Sequence, residues 1–147
     1  LETRFTTNAT LDEIVALIET RIAEHTRPGL MPFRTVRKNS DYSNSKYERP
    51  MVLVFPTSSE LDDAGQCVGD DLLGVELAVF VNGPDGEANT NDLIDYADAL
   101  RSLFLDHDRL ENSWDISIGM VEYFSLGSTT EKMASLQLEC KASVVRG

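Results

Sequence analysis

The chain contains no apolar run approaching the roughly 20 residues that cross a bilayer, and no leader with a charged start and an apolar middle. It therefore reads as cytosolic, or as assembled in a cytosol. Cations are scarce, with 13 Lys and Arg against 25 Asp and Glu and a net charge of −12. A free-standing duplex-DNA binder needs positive groups to displace counterions, so this balance excludes sequence-specific nucleic-acid binding. Asp outnumbers Lys threefold, which fits either a salt-adapted host or an ordinary acidic protein. The two cysteines, Cys67 and Cys140, are too few for a disulfide scaffold and too far apart for a zinc knuckle. No phosphate-binding GxxxxGK[ST], no GxGxxG, no HExxH and no GxSxG occurs, which leaves no recognisable nucleotide, metalloprotease or serine-hydrolase motif and no implied cofactor.

What is present has the composition of an ordinary globular protein, 41% hydrophobic and 26% charged. At 147 residues it is long enough for one domain, residues 1–147, with a core that needs no staples. The opening LETRFTT (1–7) reads as a flexible or added end. In TLDEIVALIETRIAEH, Thr10 and Glu13 form a capping box, and Leu11, Ile14, Val15, Ile18 and Ile22 share one helical stripe. His25 and Arg27 suit the negative end of that helix, and Pro28-Gly29 stops it. MVLVF (51–55) and GVELAVFV (74–81) read as strands that pair as a hairpin, the second closed by NGPDG. A second helix is predicted over 90–108, capped by Thr90 or Asn91, with Leu93, Tyr96, Ala97, Leu100, Leu103 and Phe104 on one face. Trp114, Ile116, Ile118 and Met120 then alternate with polar or small residues. From Met133 onward the alternation continues through Leu136, Leu138, Cys140 and Ala142, about twice the usual strand length of 5–6 residues. The expected architecture is α+β: a mainly antiparallel sheet with two amphipathic helices packed on one face.

Two charged stretches of opposite sign read as exposed loops. The first, 34–49, is basic and holds Arg37, Lys38, Lys46 and Arg49; the second, 56–73, is acidic and holds Glu60, Asp62, Asp63, Asp70 and Asp71. The acidic loop could hold a hard cation weakly, but it lacks the regular odd-position spacing of a calcium loop. The pair of loops could serve solubility alone, or form complementary halves of a head-to-tail subunit contact. Val144 and Val145 are both apolar, so one must face outward at the end of the last strand, a further candidate contact. Asp106, His107 and Asp108 are adjacent, and neighbours on a helix diverge by about 100°, so they do not converge on one ion unless the helix has already unwound there. His107 has an electrostatic reason to sit at a helix C-terminus, and Cys140 falls in an apolar register where a thiol acts as a small hydrophobe. No residue is nominated as catalytic, cofactor-binding or metal-ligating.

The capped first helix, the strand PMVLVF, the Gly-Pro-Asp-Gly turn, the helix DYADALRSLF and the closing SLQLECKASVVR together resemble the tail terminator (tail-completion) proteins of long-tailed phages and viruses. The resemblance covers residues 10–146 and is one of order and pattern. It implies a ring of subunits, usually a hexamer, between the tail tube and the neck of the virion, assembled in the host cytoplasm. Such a ring stops tail-tube polymerisation and offers a surface to the head-side connector, with DNA passing non-specifically through its lumen and no membrane involved. An acidic wall suits such a lumen, because it repels phosphates rather than holding them. A last strand longer than its own sheet needs would leave backbone groups to donate to a neighbouring subunit's sheet, or would stack its face in the ring. Another neck component, a head-closure or head-tail joining protein, is the nearest alternative reading. A small α+β enzyme or ligand-binding domain is the third, and would require a pocket with convergent polar groups.

Overall fold

Leu11, Ile14, Ile18 and Ile22 are buried together, as the helical period requires, on the inner face of α1 (Thr6–Arg21) and the 3-10 turn that continues it over Ile22–Glu24. The structure, a computed structural model, describes residues 2–3, 5–39, 47–62, 69–126 and 131–146, and only the backbone of 2, 3, 61, 62, 69, 70 and 143–146. Helix α1 starts earlier than the capping box predicts. Residues Thr6 to Ala9 are already helical, Phe5 occupies the N-cap position without a side-chain cap, and Thr10 lies fully buried inside the helix. With no helix end beside it to cap, Glu13 instead accepts from the side-chain amide of Asn112 and, at 3.4 Å, from its N–H.

Helix α2 (Gly86–Asp106) also starts early, and for a different reason. Asp85, in an extended conformation, accepts from the N–H groups of Glu87 at 3.0 Å and Ala88 at 3.4 Å. The NGPDG turn therefore contains the helix cap, and Thr90 is interior. Leu93, Tyr96, Ala97, Leu100, Leu103 and Phe104 are all buried, as predicted. Arg27, in the segment after α1, fastens it to α2 by bonding Asp92 at 2.7 Å and Asp95 at 2.5 Å.

Strands β1 (Glu2–Thr3), β2 (Thr35–Lys38), β3 (Met51–Asp62), β4 (Gly69–Val81), β5 (Ser113–Ser125) and β6 (Lys132–Arg146) form one sheet in the order β1-β6-β4-β3-β2, with β5 also on β6. Every pairing is antiparallel except β2 beside β3. Helix α1 packs over β2, β3 and β6, and α2 over β4, β5 and β6. Between helices and sheet lie Val52, Val54, Leu73, Val75, Leu77, Val79, Leu136, Leu138 and Cys140. This is the expected α+β fold with both helices on one face. On the opposite face Met51, Leu53, Ala78, Phe80 and Met133 make a smaller cluster beneath Tyr47, Phe55 and Leu126.

Three expectations about loops and ends are corrected. The basic stretch 34–49 contains β2, whose four residues are too few to show a period. Most of the acidic stretch 56–73 is strand, because Ser58–Asp62 pairs with Asp70–Gly74; only 63–68 remain between the strands, and they lie outside the described residues. Of the opening segment, Glu2 and Thr3 pair with Arg146 and Val145, and α1 begins at Thr6. The 15-residue β6 is as long as predicted, yet its backbone has partners within the chain. It pairs with β4 from Lys132 to Val145, and on its other edge with β5 over Lys132–Ala142 and with β1 at Val145 and Arg146. Donation of β6 to a neighbouring subunit is thereby overturned: the edges of the sheet are β2 on one side and β5 with the short β1 on the other.

Candidate functional site

The charged residues nominated by the sequence fall into different environments. Lys38 pairs with Asp12 of α1 at 2.9 Å. Arg37 is exposed, with its guanidinium 4.8 Å from the centroid of the Tyr47 ring. Arg49 is largely covered: it donates to the Tyr47 carbonyl, meets Glu131 at 3.3 Å and lies 5.9 Å from the centroid of Phe80. Lys46 and Asp63 lie outside the described residues. Glu60 is exposed opposite Leu72, and the backbones of Asp62 and Asp70 pair with one another.

Asp71 departs furthest from a solvated loop residue. It is 3% exposed, accepts from the Ser59 hydroxyl with one oxygen, and its other oxygen has no hydrogen-bond partner among the described residues. Its position in β4, directly across from Ala142 of β6, explains the burial. Nearby Cys140 is buried as its register predicts, and burial together with the charge of Asp71 pushes its thiol up to about 12. At neutral pH it carries almost no thiolate, the reactive form. Val145 sits in the sheet between Thr3 and Gly69, and Arg146 pairs with Glu2.

A surface that the sequence did not nominate stands out at the edge strand β5. Its first half is irregular: the ladder slips between Trp114 and Ser117 and again between Ile118 and Met120, and Asp115 has φ +51°. The outer side of this half is partly occupied, with Ile116 N–H on the Asp108 carbonyl at 3.0 Å. From Met120 to Ser125 the strand is regular and pairs on one side only among the described residues. Met120 is 56%, Tyr123 47% and Phe124 43% exposed there. Partial burial, and after it the charge of Asp98, raise the Tyr123 phenol above its ordinary range. An open, regular edge lined by large apolar side chains is what proteins normally avoid, because it templates pairing with another chain. Its sequence signal was the apolar alternation that also fits a strand covered on both edges.

The face of the sheet away from the helices carries one shallow groove, lined by Ser58, Glu60, Leu72, Gly74, Glu139 and Lys141. Gly74 forms part of its floor, where a Cβ would lie 2.4 Å from the Ser58 hydroxyl. Next to it Glu76 accepts from Ser135 at 2.8 Å and Gln137 at 3.1 Å, so this polar row is internally satisfied. No helix among the described residues is long and apolar enough to cross a membrane.

No protein-family model matches the chain, and no curated protein is similar to it in sequence. The fold is shared with a chain in the virion of a native gene transfer agent (GTA) particle, with a TM-score of 0.63 over 95% of this chain and 99% of that one. Sequence identity is 7%, so the likeness is one of fold.

Proposed function

We propose that this chain is a non-enzymatic structural protein of a virion, a subunit of a ring at the head-proximal end of the tail. The ring, a hexamer by resemblance, ends tail-tube polymerisation and joins the tail to the head connector; its partners are other copies of itself, the tail tube protein and the head-side neck protein. The observation that supports this reading most is the fold shared with a chain of the gene transfer agent virion over nearly the full length of both chains. The open edge of β5 supports an assembling role physically, since an unpaired apolar edge strand templates pairing with another chain.

The nominated charged residues then divide. Arg37 and Glu60, both exposed, together with Lys46, Asp62, Asp63, Asp70, Val144 and Val145 remain candidate contacts. Lys38, Arg49 and Asp71 serve the fold of their own chain. A net charge of −12 favours a lumen wall from which DNA slides without sticking. The test is a gold-labelled antibody against the chain, applied to purified particles from the cells that make it and viewed by electron microscopy. Label at the head-tail junction is the expected result. Label on the capsid surface, along the tail or absent from the particles would refute the assignment.

A further inference from the structure

Two histidines far apart in sequence meet where the helices end. His25 caps the 3-10 turn after α1, its N–H on the Ile22 carbonyl at 2.9 Å, and His107 caps α2, its N–H on the Leu103 carbonyl at 3.0 Å. One donor atom from each of Glu24, His25 and His107 lies within 4.8 Å of the others. Ligands at about 2.0–2.2 Å from a tetrahedral zinc ion stand about 3.4 Å apart, so closing the site takes up to roughly 1.4 Å of movement. Glu24 is exposed and would exchange its exposed ion pair with Arg21 for the metal, and His107 is half-buried. His25 is the fixed member: its side chain is 8% exposed, Ser102 Oγ holds Nδ1 at 2.7 Å, and Asp106 Oδ2 lies 3.3 Å from Nε2.

The electrostatics favour a cation at this point. The negative ends of two helices converge here, and each attracts positive charge within its last turn. Asp106 and Asp108 add exposed carboxylates, and Arg21 is an exposed partner of Glu24 at 3.0 Å. Two imidazoles with a carboxylate suit borderline ions such as Zn²⁺, Co²⁺ or Ni²⁺, whereas Mg²⁺ and Ca²⁺ prefer oxygen alone. We propose that Glu24, His25 and His107 bind a divalent transition metal that clamps the end of α1 to the end of α2. In this arrangement Ser102 is a positioning residue, fixing the His25 ring through the nitrogen opposite Nε2.

Calorimetric titration of the full chain with ZnCl₂, and separately with MgCl₂, tests this. One Zn²⁺ per chain is expected, with no saturable Mg²⁺ binding and a higher thermal midpoint in Zn²⁺. His107→Ala and Glu24→Gln should each weaken Zn²⁺ binding at least about tenfold while leaving the far-ultraviolet circular dichroism unchanged. Co²⁺ should give visible absorption bands that His107→Ala removes. Glu24 is exposed, so its variant reports even where the histidine variant misfolds. Absence of stoichiometric Zn²⁺ binding, or binding weakened less than tenfold in the folded variants, overturns the proposal.

Discussion

The two edges of the sheet are built to opposite specifications. Strand β2 is four residues long, carries Arg37 and Lys38, and is tied down by Lys38 to Asp12 and by the Thr35 hydroxyl to the Glu48 carbonyl. Short length and positive charge are the usual protections of a sheet edge. Strand β5 is 13 residues long, and its protection, two irregularities in the ladder, is confined to its first half. The second half presents Met120, Tyr123 and Phe124. Both edges pair on one side only among the described residues, but only the second half of β5 is long, regular and lined by large apolar side chains.

The largest expected effect removes the base on which both β5 and β6 rest. Leu100→Asp places an unpaired charge at a fully buried position of α2 and should cost about 4 kcal/mol or more, measured by urea unfolding. Asp98→Ala, exposed on the same helix, should stay within about 0.5 kcal/mol. Equal effects would misplace the helical face.

Next in size, Phe124→Lys protects the open edge in the way that β2 is already protected. Subunit association should weaken by about 2–4 kcal/mol, the range of an interface anchor, with unfolding free energy unchanged within about 0.5 kcal/mol. Arg37→Glu, on the short charged edge, should change association far less; sedimentation of the three proteins side by side ranks them. A smaller loss of folding stability, about 1–3 kcal/mol, should follow Glu131→Ala. That change strands Arg49 against Phe80, on the face away from the helices. No loss in urea unfolding would mean that Arg49 finds water.

The smallest effect is alkaline. Burial pushes the Tyr96 phenol and the Cys140 thiol each up to about 12, from about 10 and 9 in the unfolded chain. The folded protein therefore holds protons that the unfolded one releases. Stability from these groups is complete below about pH 9 and is lost as pH rises toward 12. Tyr96→Phe should flatten the fall in urea midpoint above pH 10, and should cost about 1 kcal/mol at neutral pH through loss of the hydrogen bond to the Met31 carbonyl.

Much of the architecture was legible because burial leaves a period. The stripe from Leu93 to Phe104 and the alternation through Leu136, Leu138 and Cys140 each named a buried face that the structure confirms. The arms of β3 and β4 were not legible. In β3 the side chains from Thr57 to Glu60 stand exposed, and in β4 the buried position before Leu73 is Asp71, so the ladder leaves no apolar alternation to read. The start of α1 gave no signal for the same kind of reason: Phe5 makes no side-chain cap, while Thr10 and Glu13 imitate one. The open edge of β5 and the approach of His25 to His107 depend on which elements become neighbours, which local pattern does not encode.

The central claim is that the chain assembles through the open half of β5. Its most direct test is the solution mass of the native protein by light scattering at about 0.01 and 1 M salt, where the screening length falls from about 30 to 3 Å, beside Phe124→Lys under the same conditions. The account predicts one closed multiple of the chain mass, as stable or more stable at high salt because screening relieves the −12 charge on each copy, and a monomeric variant at both salts. A wild-type monomer at both salts, or a variant that assembles as well as the wild type, would contradict it.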